Sequence, residues 1–168
     1  MANVVSIVGR PNVGKSTFFN RLIEEKKAIM DDTSGVTRDR QYGFAEWNGK
    51  RFTVIDTGGY IVGSDDIFEQ AIREQVSVAL EESDVILFMV DCREGITDID
   101  KEFASVVRGI KKPVYVIANK ADTPDKANYI GDFYQLGLGE VYPISSQNGS
   151  GTGELLDQVS SHFVIEEA

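Results

Sequence analysis

The sequence predicts one α/β domain with three layers, in which helices cover both faces of a six-stranded, mostly parallel β-sheet. Short apolar runs alternate along the chain with stretches of helical periodicity. Most of these runs are nearly continuous in Val, Ile, Leu and Phe, which is typical of strands covered on both faces. One hairpin signal interrupts the alternation, so we expect one antiparallel strand at the side of the sheet.

Composition limits the class of protein. The chain has 168 residues, a net charge of −10 and one cysteine, Cys92. This length suits a single domain over residues 1–168, and the 42% hydrophobic fraction excludes a disordered chain. The acidic balance argues against a surface that binds nucleic acid throughout. A lone cysteine excludes an internal disulfide and indicates a reducing compartment, so we expect a cytoplasmic protein.

The N-terminal residues and the apolar runs bear on membranes. No basic segment precedes the first apolar run, so we expect no signal peptide. The longest apolar run, Val85 to Val90, is far shorter than the roughly 20 residues of a membrane helix. We therefore expect no membrane among the partners.

The elements follow from the patterns in chain order. The predicted strands are Val4 to Val8, Tyr42 to Trp47, Lys50 to Ile55, Val85 to Val90, Val114 to Ala118 and Val141 to Ile144. Asn48-Gly49 between the second and third strands predicts a two-residue type I′ hairpin. Apolar stripes at helical spacing predict helices over Phe18 to Ile23, Phe68 to Leu80, Phe103 to Ile110 and Leu155 to Phe163, and a weaker helix over Asn128 to Leu136.

The segment after the first strand matches G-x-x-x-x-G-K-[ST], a phosphate-binding loop that opens a helix. Its glycines let backbone N–H groups turn towards phosphate oxygens, and the helix dipole adds positive potential. Lys15 supplies a charge for the β- and γ-phosphates, and the Ser16 hydroxyl is a ligand for Mg²⁺. The motif predicts a nucleoside triphosphate without identifying the base. The predicted contacts are Gly9, Arg10, Pro11, Asn12, Val13, Gly14, Lys15, Ser16 and Thr17.

A second turn and a polar loop suit the magnesium ion and the γ-phosphate. Asp56 ends the third strand, where its carboxylate reaches the Mg²⁺ shell through water, and the Gly59 N–H can approach a γ-phosphate. Thr37, in the aperiodic segment Asp31 to Arg40, is a candidate second ligand of Mg²⁺ that closes with the γ-phosphate. A solvated loop threonine fits the spacing equally well. The turn comprises Asp56, Thr57, Gly58, Gly59 and Tyr60.

The residues after the fifth strand identify the base. The Asp122 carboxylate can accept two hydrogen bonds from the N1–H and N2–H₂ edge of guanine, which adenine does not offer. Asn119 can tie this segment to the phosphate loop, and the Lys120 stem can lie over the purine ring. Ser145 and Ser146, after the last strand, complete the pocket. These residues favour GTP over ATP.

In this order the motifs resemble those of the Ras-like, translation-associated GTPases, and more narrowly the first G domain of the Der (EngA) family. The resemblance spans Val4 to about Phe163. It implies a P-loop NTPase G domain with GTPase activity, part of a longer protein with a second G domain and a KH-like domain. It also implies a role in assembly of the large ribosomal subunit, with the isolated domain monomeric. The distinctive matches are Thr37-Arg38-Asp39-Arg40 before Tyr42-Gly43, Asp56 to Tyr60, and Asp91 to Thr97.

The same resemblance bears on catalysis. Tyr60 stands where Ras-like enzymes carry the glutamine that orients the attacking water. Relatives without that glutamine use a bound K⁺, held partly by an asparagine at the position of Asn12, so K⁺ is a possible second cation. The resemblance then implies slow hydrolysis by the isolated domain and four catalytic residues: Asn12, Lys15, Thr37 and Gly59. Ser34 and Ser146 depart from the usual proline and alanine of the family.

Other functions remain open from the residues alone. A nucleotide-dependent binding module with negligible hydrolysis is favoured by the missing glutamine, whereas Asn12, Thr37 and Asp56 favour an enzyme. A kinase using ATP lacks a lid for an acceptor substrate and conflicts with Asp122. Four basic residues could form a strip that contacts RNA, although solvated loop and hairpin residues are the simpler interpretation. These residues are Arg38, Arg40, Lys50 and Arg51.

Overall fold

The structure is a computed structural model that describes residues 3–9, 13–23, 41–47, 49–57, 73, 76–77, 79–119, 133–139, 141–145 and 151–163. Its elements are β1 (Val4–Val8), α1 (Lys15–Leu22), β2 (Gln41–Trp47), β3 (Lys50–Asp56), β4 (Val85–Asp91), α2 (Asp98–Val107), β5 (Val114–Asn119), β6 (Val141–Pro143) and α3 (Thr152–Ser160). Each predicted strand is confirmed, with its ends within one residue of the prediction. Residues 79–82, within and just after the second predicted helix, are helical as well.

The six strands form one sheet in the order β2-β3-β1-β4-β5-β6. Every neighbouring pair is parallel except β2 and β3, which confirms the predicted single antiparallel strand. Trp47 pairs with Lys50, so the connection has two residues, and Gly49 has a φ of 77°. The turn type depends also on Asn48, which lies outside the described residues. Because β1, β3, β4 and β5 are parallel, their carboxyl ends meet at one edge of the sheet.

Two apolar clusters lie on opposite faces of the sheet and confirm the three layers. On one face, β1 and β3 pack against α1 and α3, with Phe18 and Phe19 fully buried. On the other, α2 and the turn at residues 133–136 cover β4 and β5, with the rings of Phe88 and Phe103 in contact at 5.7 Å between centroids. The apolar character of β4 on both faces follows from this arrangement, since all seven of its residues are buried.

Some expectations about the helices are wrong in detail. Leu80 and Val106 belong to the apolar stripes that predict helices, yet both are exposed. On α2 the buried stripe follows Phe103, Ala104 and Val107, which leaves Val106 at its rim. The described part of the weaker helix, residues 133–136, is a 3₁₀ turn, and its first residues lie outside the described ranges. None of the described helices is both long and apolar enough to cross a membrane.

Candidate functional site

The described residues of the predicted nucleotide site collect at the carboxyl edge of the sheet. They lie at or just beyond the ends of β1, β3, β5 and β6, or in the first turn of α1, and they are Gly9, Val13, Gly14, Lys15, Ser16, Thr17, Asp56, Thr57, Asn119 and Ser145. The remaining predicted contacts lie outside the described residues. These are Arg10, Pro11, Asn12, Thr37, Gly58, Gly59, Tyr60, Lys120, Asp122 and Ser146.

The two glycines of the phosphate loop occupy positions that exclude a side chain. Gly9 has a φ of 152°, and a Cβ added there would lie 2.6 Å from the carbonyl oxygen of Met89. Gly14, the residue before α1, has a φ of 104°, and its Cβ would collide with the side-chain amide of Asn119. Left-handed backbone and close approach therefore both require glycine, and the loop packs directly onto the ends of β4 and β5.

Lys15 begins α1 and points into this edge. Only 5% of its surface is exposed, and its Nζ donates a hydrogen bond of 2.7 Å to the carbonyl oxygen of Gly9. Burial lowers the pKa of Lys15 to about 8, and the nearby Asp56 carboxylate opposes that change only partly. Removing an ammonium group from water is costly, and a phosphate placed beside it would offset that cost.

Ser16 and Asp56 bring two hard oxygen ligands together. The Ser16 hydroxyl donates to Oδ2 of the buried Asp56 at 3.3 Å. This hydrogen bond joins the N-terminus of α1 to the end of β3. A hydroxyl and a carboxylate are ligands that suit Mg²⁺, which takes few protein ligands and completes its shell with phosphate oxygens and water. Among the described residues, no group of three or more His, Cys, Asp or Glu could hold a metal ion without such help.

Thr57, directly after β3, is joined to β1. Its hydroxyl donates to the carbonyl oxygen of Ile7 at 2.7 Å, and its backbone N–H donates to the same oxygen at 3.3 Å. The sequence predicts Thr57 as a nucleotide contact, whereas the structure engages its hydroxyl with the backbone of the strand that leads into the phosphate loop.

Asn119 joins the end of β5 to the phosphate loop, as the sequence predicts. Its buried side-chain Nδ2 donates to the carbonyl oxygen of Val13 at 2.7 Å, which confirms the predicted tie. Its own carbonyl accepts the N–H of Cys92 at 2.9 Å, so the end of β4 is fixed to the same residue. Ser145 is buried just beyond β6, next to Ile144, whose N–H donates to the carbonyl of Ala118.

The sequence motifs do not assign a role to Asp91, at the end of β4. This carboxylate is buried and accepts the backbone N–H of Arg93 at 2.8 Å and of Glu94 at 3.3 Å. The sequence contains a signal for this role. An Asp that ends a buried strand just before a turn can bond, through its short side chain, N–H groups two and three residues further along. Asp91 therefore shapes the turn that presents Cys92 to Asn119.

Comparison with protein families and curated proteins gives consistent matches. The sequence profile of a family described as 50S ribosome-binding GTPase matches residues 4–120. The chain is 65% identical over 166 residues to the GTPase Der of Cytophaga hutchinsonii, and 63% identical over 160 residues to that of Amoebophilus asiaticus. These alignments cover 99% and 95% of this chain but only 38% and 37% of the relatives, so the chain spans little more than a third of their length.

Solved structures share the fold. Era, in a complex with MgGDPNP and nucleotides of 16S ribosomal RNA, matches with a TM-score of 0.76 and 31% identity, over 99% of this chain and 58% of Era. The G domain of the FeoB iron transporter of T. maritima matches with a TM-score of 0.70 and 25% identity, over 96% of this chain and 99% of that domain.

Proposed function

This chain belongs to the family of 50S ribosome-binding GTPases, and on that basis we propose that it binds GTP with Mg²⁺ and hydrolyses it to GDP and phosphate. The resemblance to the Der family, predicted from the motifs, is confirmed by the similarity to GTPase Der. The buried Lys15 at the carboxyl edge of the sheet is the observation that carries the proposal. Its ammonium group lies within hydrogen-bonding distance of the Gly9 carbonyl, beside the pair formed by Ser16 and Asp56.

The described residues divide the work on the phosphates. Lys15 places a positive charge where the β- and γ-phosphates would lie, in an environment of low dielectric that strengthens the attraction. Ser16 and Asp56 would hold Mg²⁺, with Asp56 acting through water. When bound, Mg²⁺ neutralises charge that develops on the phosphate oxygens during hydrolysis. We also propose that Thr37 closes on this site with the γ-phosphate and that the Gly59 N–H contacts it.

Guanine specificity is proposed to rest on Asp122, with Asn119 holding its segment against the phosphate loop. The Asp122→Asn variant should shift preference from guanine towards xanthine, because an amide N–H₂ suits the acceptor that xanthine presents. Competition binding of GDP against xanthosine diphosphate measures the shift. Asp157→Asn, an equivalent change on α3, is the matched control and should leave the preference unchanged. An unaltered preference in Asp122→Asn would contradict this assignment of the base reader.

A second candidate function, a binding module with negligible hydrolysis, is favoured by Tyr60 in the place of a water-orienting glutamine. We propose instead that K⁺ at Asn12 supports hydrolysis, since a cation there would stabilise charge on the β–γ bridging oxygen. Single-turnover hydrolysis should be faster in KCl than in NaCl, and Asn12→Ala should remove most of the difference while sparing GDP binding. Wild-type rates that agree within about twofold in the two salts would exclude the K⁺ role, because an arginine finger contributes roughly 10³- to 10⁵-fold and a cation that replaces even part of it should give a larger difference.

The wider role is also a proposal. Because the relatives are much longer than this chain, we propose that the domain acts within a cytoplasmic protein that assembles the large ribosomal subunit. The description of the matching family as 50S ribosome-binding supports the large subunit. The similarity to Era, which is seen with 16S ribosomal RNA, supports only a general association with the ribosome. In that setting the GTP and GDP states would differ in Asp31 to Arg40, and hydrogen exchange in those residues should differ between GDP and a GTP analogue.

A further inference from the structure

The hydroxyl of Thr57 lies where β1 and β3 separate, just before the two segments that are proposed to bind phosphate. Ile7 on β1 pairs with Asp56 on β3, the residue just before Thr57. Beyond this point β1 continues through Val8 and Gly9 into the phosphate loop, whereas β3 ends at Asp56 and is followed in sequence by Thr57, Gly58 and Gly59. Both donors of Thr57, the N–H and the hydroxyl, bond the single carbonyl oxygen of Ile7.

This geometry excludes a direct role for the hydroxyl as a donor to phosphate. A threonine hydroxyl has one proton, and phosphate oxygens accept hydrogen bonds but do not donate them. In Thr57 that proton is directed to Ile7 at 2.7 Å, and both residues are buried. The hydroxyl therefore acts on a nucleotide through the backbone that it fixes.

We infer that Thr57 is a positioning residue for the γ-phosphate. Its hydroxyl fixes the point at which residues 58–60, the segment proposed to contact the γ-phosphate, begin relative to the phosphate loop. The inference rests on the proposed function. Among the proposed phosphate contacts, GDP uses the phosphate loop but has no γ-phosphate for the residues after Thr57, whereas GTP uses both. Loss of the hydroxyl should therefore weaken GTP binding more than GDP binding.

Two variants of Thr57 separate the hydroxyl from the shape of the side chain. Thr57→Val is nearly isosteric and removes the hydroxyl, whereas Thr57→Ser keeps it. Affinities for GDP and for a non-hydrolysable GTP analogue, both with Mg²⁺, are measured together with thermal stability. In Thr57→Val the ratio of analogue affinity to GDP affinity should fall about tenfold, the scale of one buried hydrogen bond. In Thr57→Ser the ratio should stay within about threefold of the wild type.

The matched control is Thr53→Val, which changes a threonine of β3 outside the site and should leave the ratio unchanged. If Thr57→Val does not fold, Thr57→Ala removes the same hydroxyl with less crowding and replaces it in the comparison. An unchanged ratio in the variant without a hydroxyl would overturn the inference, even if its thermal stability falls. A wild-type protein that binds neither nucleotide would overturn the proposed function itself, and the inference with it.

Discussion

The two ends of β3 are held in place by different kinds of contact. At its carboxyl end, Asp56 and Thr57 are buried and bond the phosphate loop and β1. At its amino end, the hairpin contacts α3 near the surface. There the Nζ of Lys50 donates to the Ser160 carbonyl at 3.2 Å, and Nε1 of Trp47 donates to Asp157 at 2.8 Å.

From this difference we predict which contacts serve the ligand and which serve the fold. Buried polar and charged groups such as Lys15 and Asp56 are costly to desolvate, so a fold that needed only stability would gain little from them. The amino end combines surface hydrogen bonds with an apolar contact, in which the rings of Phe52 and Phe163 lie 4.9 Å apart. Changes at the carboxyl end should therefore alter nucleotide binding, and changes at the amino end should alter stability.

The largest effect, on nucleotide affinity, is expected from Lys15. Lys50 is its match at the other end of β3, because each lysine donates to a backbone carbonyl. Lys15→Met should weaken binding of GTP and GDP at least a hundredfold, or about 3 kcal/mol, because the β-phosphate of both nucleotides, and the γ-phosphate of GTP as well, lose their charged partner. The free energy of unfolding without nucleotide should change by less than about 1 kcal/mol, since the cost of burying the ammonium group disappears with it and Asp56 keeps the Ser16 hydroxyl as a partner. Isothermal titration and urea unfolding measure the two quantities.

Lys50→Met is the control for this comparison. It should lower the free energy of unfolding by about 0.5–1 kcal/mol and leave nucleotide affinity within about twofold of the wild type. If both lysine variants lose stability equally and neither loses affinity, the assignment of the two ends is wrong.

An intermediate effect is expected from one of two asparagines that bond backbone carbonyls at opposite ends of the strands of the sheet. Nδ2 of Asn119 bonds Val13 at 2.7 Å, and Nδ2 of Asn3 bonds the Arg51 carbonyl at 3.3 Å; both asparagines are buried. Each change to alanine should lower the free energy of unfolding by about 1–2 kcal/mol. Only Asn119→Ala should also weaken nucleotide binding, by about tenfold, because it frees the phosphate loop from β5. Equal losses of affinity in the two variants would contradict this distinction.

The strands and the phosphate loop could be predicted from sequence because their signals are local. The Val/Ile-rich run Val4 to Val8 and the glycines and lysine that follow determine a strand, a turn and a helix within about twenty residues. The exposure of Val106 was not predicted, since helical spacing does not tell which of two adjacent apolar residues lies at the rim of a stripe. Contacts between distant segments left no signal either: Trp47 and Asp157 are 110 residues apart.

The same limit applies to the site. Residue types predict roles for Lys15, Asp56 and Asn119, because phosphate, Mg²⁺ and the phosphate loop each require particular chemistry. They did not distinguish Thr57 from its neighbours in the turn, since the partner of its hydroxyl depends on the register of β1 against β3. That register is a tertiary property and became visible only in the structure.

The smallest effect is expected at the Trp47–Asp157 hydrogen bond, which sharpens the comparison because it lies near the surface at the amino end. Trp47→Phe keeps an aromatic ring beside Gly153 but removes the indole N–H, and should lower the free energy of unfolding by about 0.5–1 kcal/mol. A double-mutant cycle with Asp157→Ala isolates the hydrogen bond from the loss of ring area.

Trp47 is the sole tryptophan, so its fluorescence is lost in the variants that lack it, and urea unfolding is followed instead by far-UV circular dichroism, a signal that all four proteins give. Affinity for GDP should agree among all four proteins within about twofold, because Trp47 and Asp157 lie at the amino end of β3, away from the described contacts of the phosphate loop. A coupling energy near zero would mean that this hydrogen bond does not stabilise the hairpin, and a parallel loss of GDP affinity would mean that the two ends of β3 are not independent.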